Sequence, residues 1–297
     1  MLCQINGETY DFISGYQKDR VLWYQMNELA KQTFCLDFTE WYEDGYCTEC
    51  YIPYTLFHNG RAVANVSVNR MDFQEPEGMK RYIQLGTVMT DTDFRGRGLS
   101  RFLMDQVLKE WKTKCDSMYL FANENARDFY PKFGFVPAVE YRFSCPVAGQ
   151  GQTGEWRRLD MALQKDRDLL LDKYNKVANP FSRLSLRHNP GLLMFYALGP
   201  MRDQLWYSEQ FDAVAVAGYE ENILYCYEIF SDEENFLVKI LSSLAGTRAE
   251  NVVLGFAPIH TNEFVCEKVE EGELLILSGK ENLFQKEALC FPELSHA

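Results

Sequence analysis

The spacing of apolar residues changes several times along the first half of the chain, and each change marks a predicted element. Ala62, Ala64, Val66 and Val68 recur at every second position within Arg61–Arg70, which predicts a strand with these residues on one face. A hairpin turn is expected just before it, at His58-Asn59-Gly60. The other elements predicted in this half are a helix over 20–33, strands at Tyr51–Phe57 and Tyr82–Thr90, a helix from Leu99 to about Lys114, a strand at Ser117–Ala122 and a short helix at Asn125–Phe133.

The second half repeats this order of elements weakly. Phe135–Cys145 and Trp156–Leu163 are expected to pair as a hairpin that closes the first unit, so the boundary is placed after Leu163. The elements predicted beyond it are a helix at Lys165–Val177, strands at Leu205–Glu209, Asp212–Tyr219 and Ile223–Phe230, a helix at Asp232–Ala245, a strand at Asn251–Phe256 and a closing pair at Glu273–Ser278 and Ala288–Phe291. We therefore expect an α/β chain of two domains, residues 1–163 and 164–297, each a twisted mixed sheet flanked by helices.

Composition supports two globular domains and excludes several functional classes. A length of 297 residues corresponds to about two domains of roughly 150 residues, and 46% hydrophobic content is enough for normal cores. The net charge of -13 argues against nucleic acid as the main partner, because phosphate binding needs clustered Lys and Arg. We also expect no membrane span and no signal peptide, hence a cytoplasmic protein whose oligomeric state the sequence leaves open.

The nine cysteines are expected to be reduced thiols. Their number is odd and their spacings are scattered. Cys47 and Cys50 form a C-x-x-C pair, but no second pair or nearby histidines complete a zinc site. We therefore expect no metal.

The segment that carries chemistry runs from Gln84 to Arg101 and reads strand, glycine-rich turn, helix. A helix N-terminus offers unpaired backbone N–H groups and a positive dipole end, and both favour a pyrophosphate. Gly96 and Gly98 permit close backbone approach. The segment lacks the Gly-Lys-Ser/Thr of a Walker A loop and the third glycine of a dinucleotide loop. A simple strand-to-helix connection is the alternative for this segment alone.

A second segment, LFANENARDFYPKFGF at 120–135, follows the glycine-rich turn after one predicted helix and one predicted strand. Together, Arg95-x-x-Gly98-x-Ser100 and Asn123-x-x-Ala126-x-x-x-Tyr130-x-x-x-Gly134-Phe135 resemble the GNAT superfamily of N-acetyltransferases. Ser100 departs from the family's Gly or Ala at that position. The resemblance covers residues 50–163.

The resemblance implies a set of cofactor-binding residues for acetyl-CoA. The pantetheine arm would bond to backbone at Val88, Met89 and Thr90, with Asn123 beside it. The pyrophosphate would be held by the loop and the first helical turn, which comprise Arg95, Gly96, Arg97, Gly98, Leu99, Ser100 and Arg101.

The expected reaction is direct transfer of an acetyl group to a primary amine of a small molecule or peptide. The Met89 N–H would stabilise the oxyanion and Tyr130 would protonate the departing thiolate. Two other hypotheses are a non-catalytic acyl-CoA sensor or scaffold and an enzyme for longer acyl donors. The sequence leaves the general base open among Asp37, Glu40, Glu43, Glu124, His296, the Ala297 carboxylate and water.

The second half has no glycine loop after its third strand, where Phe230-Ser-Asp-Glu-Glu-Asn-Phe236 would repel a pyrophosphate. We therefore read it as a degenerate GNAT-like domain, similar to those of tandem GNAT proteins. The final segment, Cys290–Ala297, is apolar enough to dock, and we expect it to approach the active site of the first half. The enhanced-intracellular-survival acetyltransferases offer a distant analogy. The alternative is an edge strand with a disordered tip.

Overall fold

Two mixed sheets and six helices make up the described part of the molecule. The computed structural model describes residues 1–123, 126–147, 154–177, 179–231, 237–270, 272–278 and 283–297. The helices are α1 (Arg20–Phe34), α2 (Thr39–Glu43), α3 (Leu99–Trp111), α4 (Gln164–Lys176), α5 (Pro190–Leu198) and α6 (Leu237–Ala245). The strands are β1 (Leu2–Ile5), β2 (Glu8–Ser14), β3 (Tyr51–His58), β4 (Arg61–Glu75), β5 (Gly78–Thr90), β6 (Ser117–Phe121), β7 (Val136–Pro137), β8 (Tyr141–Pro146), β9 (Arg157–Arg158), β10 (Ser185–Arg187), β11 (Leu205–Ser208), β12 (Ala213–Glu220), β13 (Ile223–Ser231), β14 (Asn251–Leu254), β15 (Val265–Lys268) and β16 (Leu274–Ser278).

Each of the two sheets is antiparallel except for one parallel pair of strands. The first has the order β1-β2-β3-β4-β5-β6-β16-β7, with β10 pairing to the far end of β4, and the second has the order β15-β8-β14-β13-β12-β11-β9. Neighbouring strands are antiparallel except for the parallel pairs β5–β6 and β13–β14. The predicted α/β class with two mixed sheets is thus confirmed.

The strands are exchanged between the sheets across the predicted boundary after Leu163. β8, from the first half, pairs with β14 and β15 in the second sheet, and β16, from the second half, pairs with β6 and β7 in the first sheet. The predicted hairpin between Phe135–Cys145 and Trp156–Leu163 is therefore wrong, because β8 and β9 lie in the second sheet without pairing to each other. The division into domains 1–163 and 164–297 stays a prediction, but the sheets do not follow it.

The two faces of the first sheet are covered by different helices. Leu103, Met104 and Val107 of α3 pack on one face, and Trp23 and Met26 of α1 pack in the aromatic cluster on the other. Asp19 caps α1, since its side chain accepts from the backbone N–H groups of the first turn. Ala62 departs from the predicted alternation: the bulge between Leu56 and Phe57 moves it to the α1 face.

Several short elements differ from the prediction. Ala288–Phe291 forms no strand. The predicted helix at Asn125–Phe133 is a 3-10 turn at Tyr130–Phe133 that Gly134 ends with a φ of 91°, and Asn125 lies outside the described residues. The elements β1, β2, α2, β10, α5 and β15 were not predicted.

The described residues contain no helix long and apolar enough to cross a membrane. They also hold no group of three or more His, Cys, Asp or Glu side chains placed to bind a metal ion. All nine cysteines are described, and each is a free thiol.

Candidate active site

The central feature of the site is a fork between the parallel strands β5 and β6. Their pairing runs from Tyr82 opposite Ser117 to Gln84 opposite Tyr119 and then stops, although β5 continues to Thr90. A bulge lies beyond this point, because β4 pairs Asn65 with Met89 but Ser67 with Gly86. The two strands therefore separate, leaving the β5 backbone from Thr87 onward unpaired with β6.

The bulge is held by side chains from β3 and β4. Thr87 has a φ of 44°, which is strained for a β-branched residue. Asn65 Nδ2 donates to the Thr87 carbonyl at 3.0 Å, and the hydroxyls of Tyr51 and Thr87 lie 2.8 Å apart. Ser67 Oγ donates to the Tyr51 hydroxyl at 2.8 Å. These contacts fix the local backbone that leads to Val88, Met89 and Thr90.

The glycine-rich loop presents a row of free backbone donors at the N-terminus of α3. Gly96 and Gly98 have φ values of 75° and 80°, and Gly98 is the N-cap without a side-chain cap. Within the described residues, no backbone or side-chain acceptor bonds the N–H groups from Gly96 to Arg101. Such an array, at the positive end of a helix dipole, is suited to a phosphate-bearing ligand.

The three arginines of the loop and the first helical turn differ in their contacts. Arg97 forms an ion pair with Glu8 at 2.7 Å, and its carbonyl accepts from Asn6 Nδ2 at 2.8 Å. Both partners lie at the tip of the β1–β2 hairpin, which thus braces the loop. Arg101 is exposed, and Arg95 Nε donates to the Thr90 carbonyl at 3.3 Å.

Ser100, which departs from the family motif, is accommodated by a polar contact. Its hydroxyl lies 2.6 Å from that of Thr90, joining the first turn of α3 to the end of β5. Leu99 beside it is buried in the α3 face of the sheet. Serine at position 100 therefore links the start of α3 to the end of β5 through a hydrogen bond.

Asn123 and Tyr130 follow β6, and Tyr130 packs on the α3 side of the sheet. Tyr130 is buried among apolar residues, and this burial raises the pKa of its phenol to about 12. Within the described residues, burial is the single cause of this shift, and no hydrogen bond to the hydroxyl contributes to it. Asn123 is exposed, and its carbonyl accepts from the Ala126 N–H at 3.0 Å.

The final segment of the chain reaches the base of the fork. The Gln84 side chain makes two bonds to Ala297: its Oε1 accepts from the backbone N–H at 2.8 Å and its Nε2 donates to the oxygen at 3.1 Å. Tyr119 donates to the Ser295 carbonyl at 3.1 Å. A Cβ on Gly86 would lie 2.5 Å from the Ala297 oxygen, so only glycine permits this approach. The final segment therefore docks against β5 of the first half, and its approach to an active site there stays a prediction.

An apolar cavity of about 310 Å³ adjoins the fork on the α1 face. Its wall is supplied by α1, α2, β3, β4, β5, α5 and the final segment, so both halves of the chain build it. The residues lining it are Phe34, Leu36, Phe38, Trp41, Thr48, Tyr51, Asn69, Thr87, Asn189, Leu192, Phe195, His296 and Ala297. Two buried polar atoms of this lining, Asn69 Nδ2 and His296 Nε2, have no partner within the described residues.

The structure distinguishes the candidate bases by their surroundings. Hydrogen bonds from Thr39 and Asn27 lower the pKa of Asp37, and Glu43 accepts from Arg20 and Tyr24. Neither they nor Glu40 lines the cavity, and Glu124 lies outside the described residues.

His296 does line the cavity, stacked on Phe121 with ring centroids 3.8 Å apart. Burial lowers the pKa of its imidazole to about 4. The ring is therefore neutral at pH 7. Tyr196 anchors the same residue by donating to its carbonyl.

The second sheet has a corresponding parallel pair, but the space beyond it is filled. Pairing of β13 with β14 ends at Cys226 opposite Leu254, and the Gly255 N–H then bonds to the Cys226 carbonyl at 2.8 Å. Glu293 N–H bonds to the Gly255 carbonyl, also at 2.8 Å. The final segment thus runs from one fork to the other. Residues 232–236, where the sequence predicts no glycine loop, lie outside the described residues.

Comparison with known proteins identifies the class to which this geometry belongs. The model of the acetyltransferase (GNAT) family matches residues 18–135, which contain the fork, the loop and Tyr130. Residues 18–135 therefore match a GNAT domain, and the predicted resemblance is confirmed. The activity of this class is acyl transfer from an acyl-CoA. No curated protein matches the chain.

Solved structures extend the likeness in fold to both halves. A probable N-acyltransferase from Enterococcus faecalis is 13% identical, with a TM-score of 0.59 over 91% of this chain and 73% of that one. A GCN5-related N-acetyltransferase from Kribbella flavida is 16% identical, with a TM-score of 0.54 over 90% and 72%. Eis1 from Mycobacterium abscessus is 13% identical, with a TM-score of 0.57 over 89% and 72%. At these identities the likeness shows the fold alone.

Proposed function

We propose that the protein transfers an acetyl group from acetyl-CoA directly to a primary amine of a small molecule or peptide. The observation that carries this is the row of N–H groups from Gly96 to Arg101 beside the β5–β6 fork, which find no acceptor in the part of the chain that the structure describes. A Cβ on Gly96 would meet nothing within 4 Å, so the loop leaves open space for a ligand. The donor set and the space both fit a pyrophosphate and its attached arm.

Specific residues would hold the cofactor. The N–H groups of Gly96 to Arg101 would bind the pyrophosphate, and Arg95 and Arg101 would add positive charge. Arg97 would act mainly on the loop itself, because its guanidinium is already paired with Glu8. Val88, Met89 and Thr90 on β5 and Asn123 after β6 would line the arm on either side of the fork.

The bound cofactor supplies an acyl carbonyl activated as a thioester. The amine nitrogen forms a bond to the carbonyl carbon, the carbon–sulfur bond breaks with its electron pair on sulfur, and the proton lost by nitrogen balances the one gained by sulfur. The Met89 N–H would stabilise the negative charge that develops on the carbonyl oxygen. Tyr130 would donate the proton to sulfur, since its buried phenol stays protonated at pH 7.

The final segment would receive the proton from the amine. Free alkylamines have pKa values near 10, so most are charged at pH 7 and must be deprotonated. The neutral His296 ring and the Ala297 backbone line the cavity where the amine would lie. His296 Nε2, which has no partner within the described residues, would accept the proton directly or through water.

Calorimetry and turnover together test the proposal. Acetyl-CoA should bind with a stoichiometry of one per chain, because the second fork is filled by Gly255 and Glu293. Release of CoA thiol should then depend on an added amine, with the N-acetyl product detected by mass spectrometry. Binding at two sites per chain would contradict a degenerate second half. Binding without amine-dependent thiol release would favour the sensor hypothesis.

A further inference from the structure

The cavity beside the fork carries information about the acceptor that the cofactor site does not. Every side chain of its described lining is apolar, aromatic or uncharged. Its volume of about 310 Å³ is at the lower end of the roughly 300–1,000 Å³ range of small-molecule sites. A ligand that enters must therefore be compact and must bury mostly apolar surface.

Polar groups gather at the end of the cavity next to β5. A Cβ on Gly86 would lie 3.0 Å from Asn69 Nδ2 and 2.5 Å from the Ala297 oxygen, so these two atoms flank the same point of the strand. Thr87, the next residue, also lines the cavity. Asn69 is 3% exposed, and its unpaired amide is costly unless a ligand completes it.

The rest of the wall is aromatic and rigid. Phe195, from the second half, packs against Phe38 and Trp41 with ring centroids 5.8 and 6.1 Å apart. The Trp41 indole N–H donates to the Gly191 carbonyl at 2.7 Å, which ties α2 to the start of α5. Trp41 and Phe195 meet edge to face, and Phe38 is tilted by 41° to Phe195. Together the three rings form a fixed surface for a flat or branched apolar group.

The opening of the cavity is also apolar. Phe34 and Leu36 are 40% and 38% exposed, and they belong to the few large apolar side chains that the protein leaves in solvent. No Asp or Glu side chain lines the cavity within the described residues. A second ammonium on the acceptor would thus be buried without a partner, which is strongly unfavourable.

We infer that the acceptor is a monoamine whose nitrogen is attached to a compact aromatic or aliphatic body, such as a phenylalkylamine, and not a polyamine or an aminoglycoside. The amino group would lie at the polar end beside Gly86 and Thr87, and the apolar body would lie against the aromatic wall. This inference rests on the proposed function, because it takes the fork as the place of acyl transfer.

A matched pair of amines tests the inference. Hexylamine and 1,6-diaminohexane differ only in the distal amino group, and 2-phenylethylamine adds an aromatic body. With acetyl-CoA as donor, kcat/KM for hexylamine and 2-phenylethylamine should exceed that for the diamine at least tenfold. Equal or higher kcat/KM for the diamine would overturn the inference, as would the absence of monoamine turnover by a protein that binds acetyl-CoA.

Substitution at the opening provides the second arm of the experiment. Leu36→Glu places a carboxylate where the distal ammonium would lie, so the preference should shift at least tenfold toward the diamine. Phe34→Glu, at the other exposed lining position, should act in the same direction. Leu163→Glu changes a leucine that is 43% exposed and does not line the cavity, and should keep the wild-type preference.

Acetyl-CoA titration of each variant separates this inference from the proposed function. Loss of binding in the wild-type chain would reject both. Normal binding with an unchanged amine preference in Leu36→Glu and Phe34→Glu would reject only the inference. A variant effect confined to the choice between acetyl-CoA and a long-chain acyl-CoA would assign the cavity to the acyl chain instead, and would also reject it.

Discussion

A hydroxyl that is to donate a proton must still hold that proton at the working pH, and burial gives Tyr130 this property. We expect Tyr130→Phe to lower kcat by about 10²–10⁴-fold, the usual contribution of general acid catalysis. Acetyl-CoA affinity should hold, because no hydrogen bond to the hydroxyl contributes to its pKa within the described residues and its loss leaves no donor or acceptor unpaired there. Tyr219→Phe, which removes a hydroxyl bonded to the Leu244 carbonyl in the second half, is the control. An unchanged rate in Tyr130→Phe, measured where chemistry limits turnover, would exclude this role.

The raised pKa of Tyr130 also predicts the shape of the pH profile. An ordinary tyrosine has a pKa of about 10 and would lose half of its protonated form at that pH. Burial raises the pKa of Tyr130 to about 12, so the protonated form that donates persists through pH 10. Meanwhile the acceptor amine becomes increasingly neutral as the pH rises. We therefore expect kcat/KM to rise up to pH 10 without an alkaline decline, and a decline centred below pH 10 would contradict this assignment.

Gly86 controls whether the final segment can lie against β5. In Gly86→Ala the added methyl group would lie 2.5 Å from the Ala297 oxygen and 3.1 Å from its carbon, so Ala297 must move away. We expect turnover to fall to the level of a chain lacking His296 and Ala297, and acetyl-CoA affinity to hold. Combining the substitution with the deletion should cause no further loss, because both remove the same contact.

Gly218→Ala is the matched control for the comparison of Gly86→Ala, the deletion and their combination. Gly218 lies in β12 of the second sheet, and its nearest neighbours are atoms of the Gln204 side chain, which is able to shift. Additive effects of Gly86→Ala and the deletion would show that Gly86 acts by another route.

At the scale of elements, the junction of β5 and α3 holds the proposed phosphate site. Gly98→Val should abolish acetyl-CoA binding in calorimetry, because a β-branched residue at a φ of 80° distorts the loop and its side chain blocks approach to the N–H groups. Gly60→Val is a close control: Gly60 has a φ of 78° and open space around it, but it lies in the β3–β4 turn. Similar losses of melting temperature with different acetyl-CoA affinities would support the assignment, whereas equal affinities would oppose it.

Elements whose signals lie within one short stretch of sequence could be predicted from the spacing of apolar residues and the positions of glycines. The periodic helix α1, the alternating strand β4 and the glycine turn before α3 all lie where the sequence predicted them. The partner of β8 was not predictable in this way, because the strand pairs with β14 more than a hundred residues away. A local hairpin is the simplest assumption when long-range register is unknown, and here it is wrong.

The same limit explains which site residues were missed. Asn65, Ser67 and Asn69 alternate along β4 and read as a solvent-facing side of the strand, yet all three are buried and face the site. Gln84 and Gly86 play their parts only because Ala297 lies against them. The loop and Tyr130 were predictable because their motif is local, whereas a contact spanning most of the chain leaves no pattern in either segment.

At the scale of the whole molecule, the strand exchange makes the two halves depend on each other. Without residues 164–297, β6 loses its antiparallel partner β16, and β8 loses both β14 and β15. Unpaired strands expose backbone donors and acceptors and favour aggregation. The aromatic cluster around Trp41 would also lose Phe195, and the cavity would lose the wall that α5 supplies.

We therefore expect the segment 1–163, expressed alone, to fail to fold, although it contains every residue of the proposed cofactor site. Its soluble yield should be low, and any soluble fraction should elute as aggregate and show no cooperative melting transition. Co-expression with segment 164–297 should restore a one-to-one complex that binds acetyl-CoA, since the exchanged strands then find their partners. A monomeric, cooperatively folded 1–163 that binds acetyl-CoA would show that β16 is dispensable. In that case the predicted boundary after Leu163 would describe an independent domain, and the strand exchange would be only a feature of how the two domains dock.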